Sequence, residues 1–153
     1  ALIKEILENS KKYNCKITCP VDIVVSKNLK DVGKNKDIKE INNDEMILDI
    51  GPKTISSIKK IINSTNTVLW NGPAGYFENP NFQNGTKQIL EIISEKTKKD
   101  KIFSVAGGGE TVAAINKFKK LDSFTFVSTA GGAFLEHLEG KTLPGIKALN
   151  QNV

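Results

Sequence analysis

Three short segments of this 153-residue chain place glycines beside groups suited to holding an anion. The first is Asn71-Gly72-Pro73, followed by Gly75 and Glu78. The second is the run Gly107, Gly108 and Gly109, followed by Glu110 and Thr111. The third is Ser128 to Ala133, containing Gly131 and Gly132. Glycine lets a backbone approach a ligand closely, and a helix that starts just after it presents free N–H donors to a negative group. Together the three segments predict a cleft for a phosphate-bearing ligand. Each has a simpler reading of its own. A Gly-Gly pair is commonly a tight connection, Glu110 suits the positive end of a helix, and Thr111 and Ser128 suit helix caps. Trp70, Phe77 and Phe134 taken singly suit a core. Their joint occurrence favours the functional reading.

All three segments follow short apolar runs, which is the position that matters. Val68 to Trp70, Ile102 to Ala106 and Phe124 to Val127 have strand composition, and amphipathic helical patterns lie between them. The helices are expected from Leu2 to Tyr13, from Pro52 through Ile62, over Thr86 to Lys98 and from Glu110 through Lys120, with a separate short one after Gly132 through Glu139. Further strands are expected at Ile17 to Val25 and Met46 to Ile50, with a polar surface excursion, including a short edge hairpin, over Ser26 to Glu45. Leu143-Pro144-Gly145 is read as the end of the structured part, leaving a C-terminal tail over 143–153. Strands alternating with helices of this length predict an α/β class, a three-layer parallel sheet with helices on both faces. In such sheets ligands bind beyond the carboxyl ends of the strands, where the three segments fall.

Composition narrows the chemistry. The formal charge is +5, yet all 22 basic residues are lysines and arginine is absent. A nucleic-acid reader usually relies on arginine, so no nucleic-acid partner is expected. Cys15 and Cys19 are the only cysteines and His137 the only histidine, too few for a zinc site. The thiols are expected to be reduced and partly buried. No apolar run approaches the roughly 18 residues of a membrane span, and the first residues lack signal-peptide architecture. A soluble cytoplasmic protein with no membrane partner is the expectation, and the absence of an initiator methionine suggests a fragment. Known phosphate motifs fail: Leu135 stands where a Walker loop before Gly140-Lys141-Thr142 needs glycine, and Val112 breaks the dinucleotide fingerprint.

Taken in order, VDIVV, LDIGPKT, VLWNGPAGYFE, VAGGGETVAAI and VSTAGGAFLEHLEGKTLPG resemble the C-terminal half of phosphoglycerate kinase. The resemblance covers nearly the whole chain. It implies a Rossmann-like domain, truncated at its N-terminal side, spanning 1–153 as part of the nucleotide-binding half of a glycolytic kinase. It further implies that the full enzyme moves a phosphoryl group between 1,3-bisphosphoglycerate and ADP, giving 3-phosphoglycerate and Mg-ATP. By resemblance, Glu78 receives the ribose hydroxyls, with Asn71, Pro73 and Phe77 nearby. Gly107, Gly108, Gly109 and Thr111 approach the nucleotide phosphates. Glu110 stands where the family usually has an aspartate ligand to Mg2+. Gly131 and Gly132 lead the helix that stabilises the transferring phosphoryl group, and Ala130 replaces a third glycine common in the family. The phosphoglycerate partner belongs to an N-terminal domain that is missing here, as are the family's catalytic arginine and its lysine-bearing Gly-Gly-Ala-Lys strand. Negligible turnover by the chain alone follows as an expectation. The alternative is a folded, non-catalytic nucleotide-binding or interaction module with a decayed site.

Overall fold

The structure, a computed structural model, describes residues 2–150. The order of elements is α1 (Leu2–Lys12), β1 (Asp22–Ser26), β2 (Lys34–Asp37), β3 (Met46–Ile50), α2 (Pro52–Asn63), β4 (Thr67–Asn71), α3 (Asn84–Lys98), β5 (Phe103–Gly107), α4 (Gly109–Lys117), β6 (Phe126–Ser128), α5 (Gly132–Leu138) and α6 (Pro144–Asn150). Three short 3-10 turns at 38–40, 80–82 and 121–123 join them.

The α/β class predicted from the sequence is what the chain adopts, with a parallel sheet flanked by helices. Strands β4, β5 and β6 lie side by side in that order, all parallel. The long α3 and the shorter α4 make the two crossovers, because parallel neighbours cannot be joined by a tight turn. Register aligns Leu69 with Val105 and Phe126, Trp70 with Ala106 and Val127, and Asn71 with Gly107 and Ser128. Side chains alternate between faces along a strand, so the Trp70 row points one way and the Leu69 and Asn71 rows the other.

The Trp70 face is the core. Ile89, Leu90 and Ile93 of α3, Ala114 and Ile115 of α4, and Ile55 and Ile62 of α2 pack with Trp70 and Ala106. Trp70 stacks on Phe124 with ring centroids 6.0 Å apart. Each fully buried aliphatic side chain in this cluster contributes about 1.5–3 kcal/mol relative to exposure. The opposite face carries Phe134 of α5 at its carboxyl edge, and otherwise shows Leu69, Phe103 and Phe126 at 46%, 52% and 56% exposure. Helix α1 likewise leaves Leu2, Ile3, Ile6 and Leu7 exposed and buries none of its residues.

Several expectations are corrected. Strands β1 and β3 do not join the parallel sheet: they form a separate antiparallel sheet in the order β2-β1-β3. The segment from Ser26 to Glu45 contains a hairpin strand and no crossover helix, so the chain returns beside β1 in the opposite direction. The proposed tail contains a helix, α6, entered through Pro144, whose fixed φ suits a first helical turn; residues 151–153 of that tail lie outside the described residues. Cys15 and Cys19 are both exposed rather than partly buried.

Buried carboxylates tie the antiparallel sheet to the helices beside it. Asp22 of β1, 1% exposed, accepts hydrogen bonds from the backbone N–H of Lys53 at 2.9 Å, from that of Thr54 at 2.7 Å and from the Thr54 hydroxyl at 2.7 Å. It thereby caps α2, whose own cap residue, Gly51, has no side chain to do so. Burial pushes the Asp22 carboxyl up, but the Thr54 hydroxyl and the two backbone donors outweigh it, and its pKa is lowered.

Candidate functional site

The parallel register brings the three glycine-rich exits together. Asn71, Gly107 and Ser128 are the last residues of β4, β5 and β6, and they pair across the sheet. Every exit therefore leaves the same end of the sheet, side by side.

Each exit turns sharply at a glycine in the left-handed region: Gly72 at φ 93°, Gly108 at φ 94° and Gly131 at φ 54°. Gly108 is confined in a second way, since a methyl group added there would lie 2.5 Å from Asn71 Oδ1. The turn at β5 thus passes directly beneath the Asn71 amide. Gly109 and Gly132 have neither constraint. They begin helices α4 and α5 at ordinary backbone angles, and a methyl group at either would meet nothing within 4 Å. Nothing in the fold requires glycine at those two positions. The space in front of both helix starts is open, so backbone N–H groups there can be approached closely.

Thr111 locks two exits into one piece. It is 0% exposed, and its hydroxyl accepts a hydrogen bond from the Gly72 N–H at 2.7 Å. At the third exit, the Ala130 N–H donates to Ser128 Oγ at 3.3 Å, and Phe134 of α5 packs where a Gly107 side chain would stand.

The loop from Gly72 to Glu78 is held by groups that sequence reasoning did not single out. Thr86, at the start of α3 and 0% exposed, accepts from the N–H of Ala74 at 3.1 Å and of Gly75 at 3.3 Å. Tyr76 N–H donates to Leu48 O at 2.8 Å. Asp49, 2% exposed, accepts from the N–H groups of Gly85 and Ile50, both at 2.8 Å, and lies against Gly75. Burial raises the Asp49 pKa against the opposing pull of those backbone donors. These residues carry no distinctive spacing in the sequence; only the fold brings them to the loop.

The named side chains divide into two groups. Asn71, Glu78 and Glu110 are exposed, and Pro73 is half-buried, all free to meet a ligand. Phe77 differs: its side chain is 4% exposed and belongs to the core cluster, leaving its backbone as the part nearest the loop surface. A cavity of about 400 Å³ adjoins at Pro73, lined by Ile47, Leu48, Ala74, Gly75 and Tyr76 among others. Among the described residues no group of three or more His, Cys, Asp or Glu side chains could hold a metal by itself. Glu110, alone and exposed in the first turn of α4, is a donor of the hard oxygen type. That set fits Mg2+, which commonly uses one or two carboxylates with phosphate oxygens of its partner rather than a protein cage.

The comparisons with known proteins agree on one family. The sequence model described as "Phosphoglycerate kinase" matches residues 1–141. The phosphoglycerate kinase of Francisella philomiragia subsp. philomiragia is 48% identical over 150 residues, covering 97% of this chain and 37% of the relative. That of Xanthobacter autotrophicus is 45% identical over 150 residues, covering 97% and 38%. The structure of phosphoglycerate kinase from Coxiella burnetii superposes with a TM-score of 0.87 at 38% identity, covering 97% of this chain and 38% of that one. This chain belongs to the phosphoglycerate kinase family. It spans a little over a third of the length of these relatives.

Proposed function

We propose that the chain is the nucleotide-binding part of a phosphoglycerate kinase, and that 1–153 forms part of that enzyme's C-terminal domain. The observation that supports it best is the paired row Asn71–Gly107–Ser128, from which three glycine-led turns open in one direction. ADP would lie across those turns. Glu78 would take the ribose hydroxyls as an acceptor of two hydrogen bonds, and the cavity beside Pro73 and Tyr76 would take the planar base. The open N–H groups at Gly109 and Gly132 would face phosphate oxygens, with Asn71 as a further donor and Thr111 fixing the turn.

In the reaction, an oxygen of the ADP terminal phosphate takes the phosphoryl group of 1,3-bisphosphoglycerate, and the carboxylate of 3-phosphoglycerate leaves. Such a transfer needs positioning and positive charge about the moving group more than covalent chemistry from the protein. Gly131 and Gly132 contribute through the positive end of α5. Glu110 would hold Mg2+ together with the nucleotide, and the ion would supply charge neutralisation on the phosphates. The phosphoglycerate partner and the cationic groups that complete the transfer would come from the remainder of the enzyme, since this chain has no arginine. Turnover by the chain alone is expected to be negligible. A cytoplasmic enzyme follows from this reading, and no described helix is long and apolar enough to cross a membrane.

Glu110 and Ala130 favour a second reading, a non-catalytic module with a decayed site, because both depart from the family's usual residues. Calorimetry with Mg-ADP tests the first. Glu78→Ala and Glu110→Ala should each weaken binding, and unchanged affinity in both would refute the site. ATP formation from 1,3-bisphosphoglycerate by the full-length protein would refute the decayed-site reading.

A further inference from the structure

Lys117 ends α4 two turns beyond Glu110, and seven residues on a helix return to nearly the same face about 10 Å along the axis. Its ammonium donates to the backbone carbonyl of Phe77 at 2.5 Å and to that of Glu78 at 3.1 Å. It also lies 5.9 Å from the ring centres of Phe77 and Phe118. No other side chain joins α4 to this end of the loop among the hydrogen bonds of the described residues: Thr111 acts at Gly72, and Thr86 and Asp49 act from α3 and β3. The lysine therefore connects the helix whose first turn carries Glu110 to the backbone that presents Glu78.

We infer that Lys117 is a positioning residue, setting the distance between the ribose-binding carboxylate of Glu78 and the phosphate-binding start of α4. This rests on the nucleotide reading above. The ammonium touches carbonyl oxygens and not the Glu78 carboxylate, so it acts through backbone placement. A charged donor on two carbonyls is stronger than a neutral one, and the ammonium lies within cation–π range of both rings. A ligand with both ribose and phosphates needs the two walls at a fixed separation; a ligand with phosphates alone needs one wall.

The test compares Mg-ADP with Mg-pyrophosphate, each titrated into the chain and followed by backbone amide NMR, which reads millimolar affinities. Lys117→Met should weaken ADP by about tenfold, the scale of a lost charged hydrogen bond, while pyrophosphate affinity stays unchanged. Lys117→Arg, which keeps charge and donors, should recover most of the loss. In a Glu78→Ala background, Lys117→Met should weaken ADP no further, since the two act through one contact. Equal losses for ADP and pyrophosphate, or effects of Lys117→Met and Glu78→Ala that multiply, would overturn the positioning role while leaving the nucleotide site standing. Failure of the unsubstituted chain to bind ADP while binding pyrophosphate would overturn the nucleotide reading and this inference with it.

Discussion

Replacing Thr111 with valine removes one oxygen from the centre of the site and changes almost nothing else. The side chain is 0% exposed, valine has nearly its shape, and β-branching is preserved. What disappears is the acceptor for the Gly72 N–H at 2.7 Å. A net hydrogen bond is worth about 1 kcal/mol, and a buried donor left without a partner adds a desolvation cost. Gly72 is half-buried, which lets water reach that N–H in part and holds the second contribution down. The sum is a loss of about 1–2 kcal/mol, equivalent to about 3–6 °C in Tm for a domain of this size. Urea unfolding followed by Trp70 fluorescence checks it, because the midpoint should fall while the slope stays constant. A midpoint identical to that of the unsubstituted chain would refute the claim that Thr111 locks β4 to α4. A loss above about 4 kcal/mol would refute it differently, indicating a cavity or rearrangement rather than one missing bond.

Two further substitutions test the scaffold. Asp22→Asn keeps an acceptor but turns an amide N–H2 towards one of the backbone donors at the start of α2, and should cost about 1.5–3 kcal/mol at neutral pH. The Asp22 pKa is lowered in the fold, so its contribution is fully present above the unfolded value near 3.8 and is lost as pH falls through the lower folded value; unfolding curves across that interval should show the difference between the two proteins shrinking with acid. Gly108→Ala places a methyl group at φ 94° and 2.5 Å from Asn71 Oδ1, and should destabilise the chain by about 1–3 kcal/mol while shifting the Asn71 side-chain amide signal in NMR.

The three strand exits that make up the candidate site were legible in the sequence because their signals are local. Glycine runs and the polar residues beside them stand directly after apolar strands, so Asn71, Gly107 and Ser128 could be placed at strand exits, and the fold pairs them. Strand direction is not a local property. Ile23, Val24 and Val25 read as a buried strand whichever way their neighbour runs, and the rhythm of the rest of the chain suggested parallel. The missing helix between Ser26 and Glu45 was the signal for an antiparallel return. The supports behind the site were also out of reach. Lys117, Thr86 and Asp49 are ordinary residues at unremarkable spacings, and only tertiary packing brings them to the Gly72–Glu78 loop. Phe77 illustrates the converse, since a residue inside a segment read as functional can serve the core. Exposed Leu69, Phe103 and Phe126 belong to a similar class: their apolarity predicted burial, and only the assembled sheet reveals a largely uncovered face.

The central claim is that three strand exits act as a single nucleotide site. Backbone amide NMR of the unsubstituted chain during an Mg-ADP titration tests it directly. Shifts in Gly72, Gly109 and Gly132, with the Glu78 amide, that follow one saturating curve would meet the prediction. Saturable ADP shifts confined to the antiparallel sheet around β2, with all three exits unmoved, would contradict it.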